Sequence, residues 1–393
     1  YIDGVYPLEH CGRVGDIIHA MRINKQPQII VFHVDRLDNH SNADDQKLYR
    51  TDQEIARFNH NDPLNTAEVF LQKQGIAGSE IERTRKEAIA VVRAAIAHAR
   101  AGHEPVAVMD AEKPLMPELM PSASEYRGDF SSEDSRLTML GAMREVFDYH
   151  LSTNPNVCLL GEDIEDGKGD VFGITRGLST KYKNRVKNSA LSESTIVGLA
   201  CGMALAGKLP VAFIQFADFM PVAYNQIFSE LSTMYWRTAG GWQVPVIVFA
   251  ASGAYRPGLG PFHSQTNEAT YAHIPGLDVY MPSNAADAAG MLNAAFKSGR
   301  PSVFLYPKKL LNNASILDTT SNDVAKQLVP IGKARIVRSG SNITFVSWGN
   351  TVEFCVQAAD TLDKVGIESE VIDLRTIKPY DLNTLLNSVQ KTG

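Results

Sequence analysis

The chain has 393 residues, 44% hydrophobic and 21% charged, with 38 basic and 44 acidic side chains for a net charge of −6. That length accommodates roughly two to four domains. The absence of long runs of either charge argues against a nucleic acid or an anionic membrane as partner. Four widely spaced cysteines (Cys11, Cys158, Cys201, Cys355) form no CxxC pair, which disfavours zinc and disulfide frameworks and points to a reducing compartment.

In chain order, Ile2-Asp3-Gly4 opens without a Met, and a helical stretch leads to a β-rich run at Gln28–Val34. A polar loop follows, ending near Tyr49-Arg50. Ile81–Arg100 reads as a long Ala-, Glu- and Arg-rich helix with apolar Ile89, Val92, Ile96 and Ala97. Residues 111–135, with Pro114, Pro117, Pro121 and a Ser/Glu/Asp cluster, read as a linker or surface-crossing connection.

A second domain is expected from Arg136, where Met139, Leu140, Met143, Val146 and Phe147 make a helical apolar face. Short β-like runs then alternate with helical ones: Val157–Leu160, Arg185–Ala190, Pro210–Phe216, Pro245–Ala251, Asp278–Met281 and Ser302–Tyr306. This alternation predicts an α/β fold with parallel sheets flanked by helices. Ile196–Gly207 is too short to span a bilayer and is expected to be a buried helix. A third unit begins near Ile331, with strands at Ile343–Trp348 and Glu368–Leu374 around a helix at Val352–Val365. Both chain ends read as cuts through a larger protein.

Ligands of open α/β sheets bind outside the carboxyl ends of the strands. The polar residues just after the predicted strands are Arg36, His40, Glu162, Asp163, Glu193, Asp218 and the glycine-containing loop that leads to His263. Each has a plainer reading. Glu193, directly before an apolar helix, suits a first-turn acid favoured by the macrodipole. Glu162 and Asp163 suit a solvated loop pair, His40 and His263 suit turn caps, and Phe219 suits a core aromatic. Gly258-Leu-Gly260 is too weak a pattern to mark a phosphate loop.

Several motifs in order make the reading more specific. They are Leu159-Leu-Gly-Glu-Asp163, Arg176-Gly-Leu178, Leu191-Ser-Glu193, Ile214-Gln-Phe-Ala-Asp-Phe219, His263-Ser-Gln265 and His273-Ile-Pro-Gly-Leu277. Together, over roughly 120 residues, they resemble the beta subunit of 2-oxo acid dehydrogenase complexes, most nearly the branched-chain type. Residues Arg36 to Arg50, with His40, Ser41 and Tyr49, together with Asp62-Pro63, are similar to the end of the partner alpha subunit. The resemblance implies an alpha-to-beta fusion. Residues 1–110 would be the C-terminal part of a diphosphate-binding domain, 111–135 the linker and 136–322 a pyrimidine-binding domain. Residues 323–393 would be an incomplete transketolase C-terminal-like α/β domain, and the whole a thiamine-diphosphate-binding fold.

The function so implied is thiamine-diphosphate-dependent decarboxylation of a 2-oxo acid, with reductive acyl transfer to a lipoyl carrier. The related alternative is two-carbon ketol or acyl transfer to a carrier protein, and the non-catalytic alternative is a scaffold or regulatory paralogue. The thiazolium carbon of the cofactor must lose a proton to become a nucleophile. By resemblance, Glu193 contacts the aminopyrimidine and drives that loss, Phe219 stacks on the pyrimidine, and Glu162 belongs to a proton path between two cofactors. His263 matches a histidine that binds the substrate carboxylate and handles protons. His40, Arg36 and Ser41 match residues near the diphosphate and the lipoyl entry, where donors offset phosphate charge.

The Gly-Asp-Gly and Asn that bind magnesium in such alpha subunits are absent, so the Mg2+ ligands are expected outside this chain, in a missing N-terminal alpha-like segment. The expected partners are a lipoyl-bearing acyltransferase or acyl carrier protein, in a homodimer or alpha2beta2-like assembly. The expected location is the cytoplasm, or the mitochondrial matrix in a eukaryote. Three departures from the family pattern stand out. The loop Ala251–Phe262 is poorer in glycine and carries Pro257, Phe213 replaces a usual Glu, and the third domain stops before the family's final strands.

Overall fold

The computed structural model describes residues 1–104, 116–119, 124–128, 136–312 and 324–393, in two compact units, Tyr1–Ala107 and Val108–Gly393. The first unit contains β1 (Ile2–Asp3), α1 (Pro7–Asn24), β2 (Phe32–His33), α2 (Asp52–His60), α3 (Pro63–Lys73) and α4 (Gly78–Ala101). Thr51 caps α2 through a capping box with Glu54, and Asp62 caps α3 ahead of Pro63. The strand expected over Gln28–Val34 shrinks to Phe32–His33, because its parallel partner β1 offers only two residues. The long helix stands where periodicity put it. Its Ile89, Val92 and Ile96 are exposed, so none of the described residues of this unit fully covers that face.

The second unit runs α5 (Met139–Thr153), β3 (Val157–Gly161), α6 (Leu178–Lys181), β4 (Val186–Asn188), α7 (Glu193–Leu205), β5 (Leu209–Ile214), α8 (Met234–Arg237) and β6 (Ile247–Ser252). It continues with α9 (Glu268–Ala272), β7 (Asp278–Tyr280), α10 (Ala285–Ser298), β8 (Ser302–Pro307), β9 (Arg335–Arg338), β10 (Ile343–Ser347), α11 (Thr351–Asp363), β11 (Ser369–Asp373), β12 (Thr376–Lys378) and α12 (Leu382–Thr392). Seven strands form one sheet in the order β12-β7-β8-β6-β5-β3-β4, all parallel except β12. A three-stranded sheet, β10-β11-β9, lies beyond it.

Both faces of the large sheet are covered, so its strands are apolar at nearly every position rather than alternating. Val157, Leu159, Val211, Phe213, Phe249 and Phe304 point to one side with α5 and α10, while Leu160, Ala212, Ile214, Val248, Val303 and Leu305 point to the other with α7. Phe213 is fully buried and packs against Phe249, with ring centroids 4.7 Å apart, and against Phe147 at 5.6 Å. The replacement of a usual Glu is therefore a core aromatic within this unit. Helix α7 is buried on one face only: Ile196, Val197, Ala200, Cys201 and Ala204 turn inward, while Leu199 and Leu205 are exposed. The buried helix expected over Ile196–Gly207 is thus buried on one face and open on the other within this unit.

The described parts of the Pro-rich connection are anchored on this unit. Arg127 donates to Asp287 (2.7 Å) and Asn284 (3.1 Å), Glu125 pairs with Arg375, and Tyr126 bridges to Leu328. Arg300, paired with Asp278, also donates to the carbonyl of Pro117.

Candidate active site

The parallel strands β3, β5, β6 and β8 end at one edge of the sheet, and the chemically active side chains follow those ends. Glu162 comes directly after β3, where Gly161 closely approaches β5: a Cβ at Gly161 would overlap the carbonyl and side chain of Phe213. The next turn is shaped by Asp170, buried, whose carboxylate accepts the backbone N–H groups of Phe172, Gly173 (2.8 Å) and Ile174 (2.8 Å). Gln215, the residue after β5, donates to the Glu162 carbonyl and accepts from Val171 N–H at 3.1 Å. It ties the first two strand ends together.

Glu162 is buried, and its pKa is pushed up to about 7, first by desolvation, then by the charges of Glu193 and Asp163 and by a hydrogen bond with Glu193. Glu193, half-buried, is the first residue of α7, so the structure brings the two carboxyls together from different strand ends. The Glu193 charge so close by favours the protonated form of Glu162. Glu162 Oε1 and Asp218 Oδ2 are buried oxygens with no hydrogen-bond partner among the described residues.

A short 3-10 helix at Ala217–Ala223 follows β5 and carries Asp218 and Phe219. Phe219 is half-buried rather than a closed core residue, and its ring meets the imidazole of His263 edge-on at 5.6 Å. Phe216 also lies edge-on to His263, at 4.5 Å. The loop after β6 reaches His263 through Gly258 and Gly260, whose φ values of 84° and 71° suit glycine. Lys308, after β8, is buried, and desolvation lowers its pKa to about 8, with Asp218 opposing the fall.

Glu162, Glu193, Phe219 and His263 thus lie around one sheet edge. Arg36, His40 and Ser41 lie in the first unit, in a loop organised by Asp44. The Asp44 carboxylate accepts from Tyr49 Oη (2.6 Å) and from the His40 backbone N–H (2.7 Å), and these two bonds, in that order, lower its pKa. Arg36 donates to Tyr49 Oη at 2.6 Å and pairs with Asp44 at 3.6 Å, while His40 and Ser41 are exposed. Arg50 holds the loop from below, donating to the carbonyl of Arg36 and to Gln46 Oε1, both at 2.7 Å.

Gln215 and Lys308 were missed by reading the sequence, although the strand-end rule that found Glu162 and Asp218 applies equally to both. The pyrimidine end of a thiamine cofactor fits the second unit's residues: an acid at a helix start, a half-buried aromatic ring and buried acceptors without partners among the described residues. For a metal, no group of three or more His, Cys, Asp or Glu among the described residues could hold the ion. No described helix is long and apolar enough to cross a membrane.

The raised pKa of Glu162 predicts a pH effect on stability. A folded-state value above the ordinary one means the fold favours the protonated acid. The contribution is complete below about pH 4.5 and is lost as pH rises through about 7. Glu162→Gln mimics the protonated form, so urea unfolding should show it gaining about 1–2 kcal/mol over the parent at pH 8.5 and little at pH 5, after discounting for solvent screening. Equal shifts at both pH values would refute the assignment.

Three family models match: the transketolase pyrimidine-binding domain at residues 135–313, the transketolase C-terminal domain at 332–393, and the dehydrogenase E1 component at 17–107. Among curated relatives, the beta subunit of acetoin:2,6-dichlorophenolindophenol oxidoreductase from Cupriavidus necator is 37% identical over 268 residues, covering 66% of this chain and 77% of that protein. The 2-oxoisovalerate dehydrogenase beta subunit of Bacillus subtilis is 37% identical over 260 residues, covering 66% and 78%. The pyruvate dehydrogenase E1 beta subunit of Acholeplasma laidlawii is 37% identical over 260 residues, covering 65% and 77%. A solved structure described as a split gene transketolase, inactive beta4 tetramer, aligns with TM-score 0.53 at 20% identity, covering 65% of this chain and 77% of that one. That likeness speaks to the fold alone.

Proposed function

Because the chain belongs to the family of thiamine-dependent 2-oxo acid dehydrogenase E1 components, joining an E1 dehydrogenase segment to a beta-subunit-like segment, we propose that it decarboxylates a 2-oxo acid and delivers the acyl group to a lipoyl-bearing acyltransferase. The observation that carries this reading is buried Glu162 beside Glu193 at the sheet edge, its pKa raised to about 7, which suits acid–base work near neutral pH. When bound, thiamine diphosphate supplies the carbon nucleophile that attacks the 2-oxo group.

The chain's own residues have the following roles. Glu193 receives and returns a proton at the aminopyrimidine ring, and Glu162 holds the proton that Glu193 releases. Phe219 offers a flat face for stacking. His263, edge-on to Phe216 and Phe219, binds the substrate carboxylate and handles a proton at the reacting centre. In the first unit, Arg36, His40 and Ser41 serve the diphosphate and the approach of the lipoyl group.

Residues 1–110 form the alpha-like part in this assignment, 111–135 the connection, 136–322 the pyrimidine-binding part and 323–393 the C-terminal part. Magnesium is held by an alpha-like segment outside these residues, and a two-fold assembly completes the cofactor site. The working compartment is the cytoplasm or the mitochondrial matrix.

A substrate panel tests the reading. The native enzyme, given thiamine diphosphate and magnesium, should release CO2 from a branched 2-oxo acid or pyruvate and reduce a lipoyl acceptor. Acetoin, ketose phosphates and a carrier-protein acceptor complete the panel. Turnover of a ketose phosphate without CO2 would replace the proposal with ketol transfer.

A further inference from the structure

We propose that Lys308 and Asp218 are positioning residues that clamp the peptide of His263 from two sides and so aim its imidazole. The inference rests on the role given to His263 above. The loop between β6 and α9 is long and carries Pro257, Gly258, Gly260 and Pro261. A histidine at its far end needs anchoring, because misplacing a reacting group by about 1 Å can cost roughly 10²-fold in rate.

The anchors come from two different strand ends. Lys308 Nζ donates to the His263 carbonyl at 2.9 Å. Asp218 Oδ1 accepts the next two backbone N–H groups, Ser264 at 3.0 Å and Gln265 at 2.9 Å. A cation thus holds the carbonyl of His263 and an anion holds the amides that follow it, each matched to the peptide group it faces. The same ammonium lies 4.7 Å from the centre of the Phe216 ring, and that ring abuts the imidazole at 4.5 Å. Backbone and ring of His263 are therefore both referred to Lys308.

Other bonds hold the loop's flanks. Gly253 N–H donates to the Gln265 carbonyl (2.9 Å), Gln265 Nε2 to the Pro261 carbonyl (2.6 Å), and Asn267 Nδ2 to the Ala217 carbonyl (2.7 Å). None of these reaches the carbonyl of His263. A buried ammonium is expensive, and a methionine would fill the same volume without the charge. Packing alone does not call for a lysine here.

The experiment compares Lys308→Met, Lys308→Arg and Asp218→Asn in the native enzyme by amide hydrogen exchange and steady-state kinetics. Lys308→Met should speed exchange at Ser264 and Gln265 by about tenfold or more, with β6 and β8 unchanged. It should lower kcat by about 10–100-fold while cofactor affinity stays within twofold. Lys308→Arg should restore most of both, and Asp218→Asn should loosen the same two amides. Exchange of both amides at the parent rate in Lys308→Met overturns the clamp. Faster exchange with full kcat leaves an anchor that does not aim the histidine, and this also overturns the proposal. If Lys308→Met does not fold, the two amides in Asp218→Asn decide. The exchange result needs no substrate, so failure of the clamp and failure of the functional reading are told apart.

Discussion

Glu193→Gln is expected to lower turnover by about 10³-fold or more while leaving unfolding free energy unchanged or slightly raised. Glutamine keeps the shape of the side chain and can still hydrogen-bond, but it cannot accept and return a proton. If Glu193 were only a first-turn acid, its loss would cost α7 roughly 0.3–1 kcal/mol and leave catalysis intact. If it works against the pyrimidine, activity collapses and stability does not. Removing its charge also relieves Glu162, whose pKa is raised by desolvation and then by Glu193. The measurements are turnover, thiamine diphosphate binding by calorimetry, and proton exchange at the thiazolium carbon of the bound cofactor. Unimpaired exchange at that carbon would end the mechanism proposed here.

The second unit was readable because its sheet is buried on both faces, which writes each strand as a short continuous apolar run. Knowing where those runs end is enough to find Glu162, Asp218 and the loop to His263. Lys308 sits after β8 by the same rule, but a lysine following Pro307 reads as the start of a solvated turn. Its burial depends on a loop that folds back from 45 residues earlier in the chain. The closeness of Glu162 to Glu193 was not legible, because the irregular turn held by Asp170, α6 and β4 lie between their elements.

The first unit was less readable for a different reason. Apolar periodicity places α4 correctly, but it cannot say what covers Ile89, Val92 and Ile96, which are exposed within that unit. The β-rich run Gln28–Val34 has the composition of a strand, while pairing is set by the two residues that β1 provides. The Pro-rich connection hid the most. Glu125 and Arg127 resemble solvated linker charges, and their partners are 160 to 250 residues away.

Those distant partners give the largest stability effect expected in the molecule. Arg375 is fully buried and adopts φ 58°, a left-handed conformation unusual for arginine. Its guanidinium forms two bonds to Glu125, at 2.8 and 2.9 Å, and lies 3.2 Å from Asp287. Its backbone N–H donates to Asp373 at 2.9 Å. Burial opposes the charge, but Asp287, then Glu125 and Asp373, outweigh it and hold the guanidinium firmly protonated.

Asp287 in turn is kept below the usual carboxylate range by Arg375 and Arg127 despite its burial, whereas Asp373 is raised by burial and by Asp287. Arg375→Met would leave Asp287 with Arg127 alone and would remove the cation beside Asp373. Removing one partner from a buried ionic cluster costs about 3–5 kcal/mol. The loss should be largest at neutral pH and shrink in acid, because carboxyls raised in the folded state bind protons that the unfolded chain does not. Adding Asp287→Asn should return part of the loss, since it removes the negative charge that bears on Asp373, and the two substitutions should be strongly non-additive. Urea denaturation of the single and double variants at pH 5.5 and 7.5 measures each term. Additive losses with no dependence on pH would mean that packing around Arg375, rather than its charge, holds residues 125–127 to the sheet.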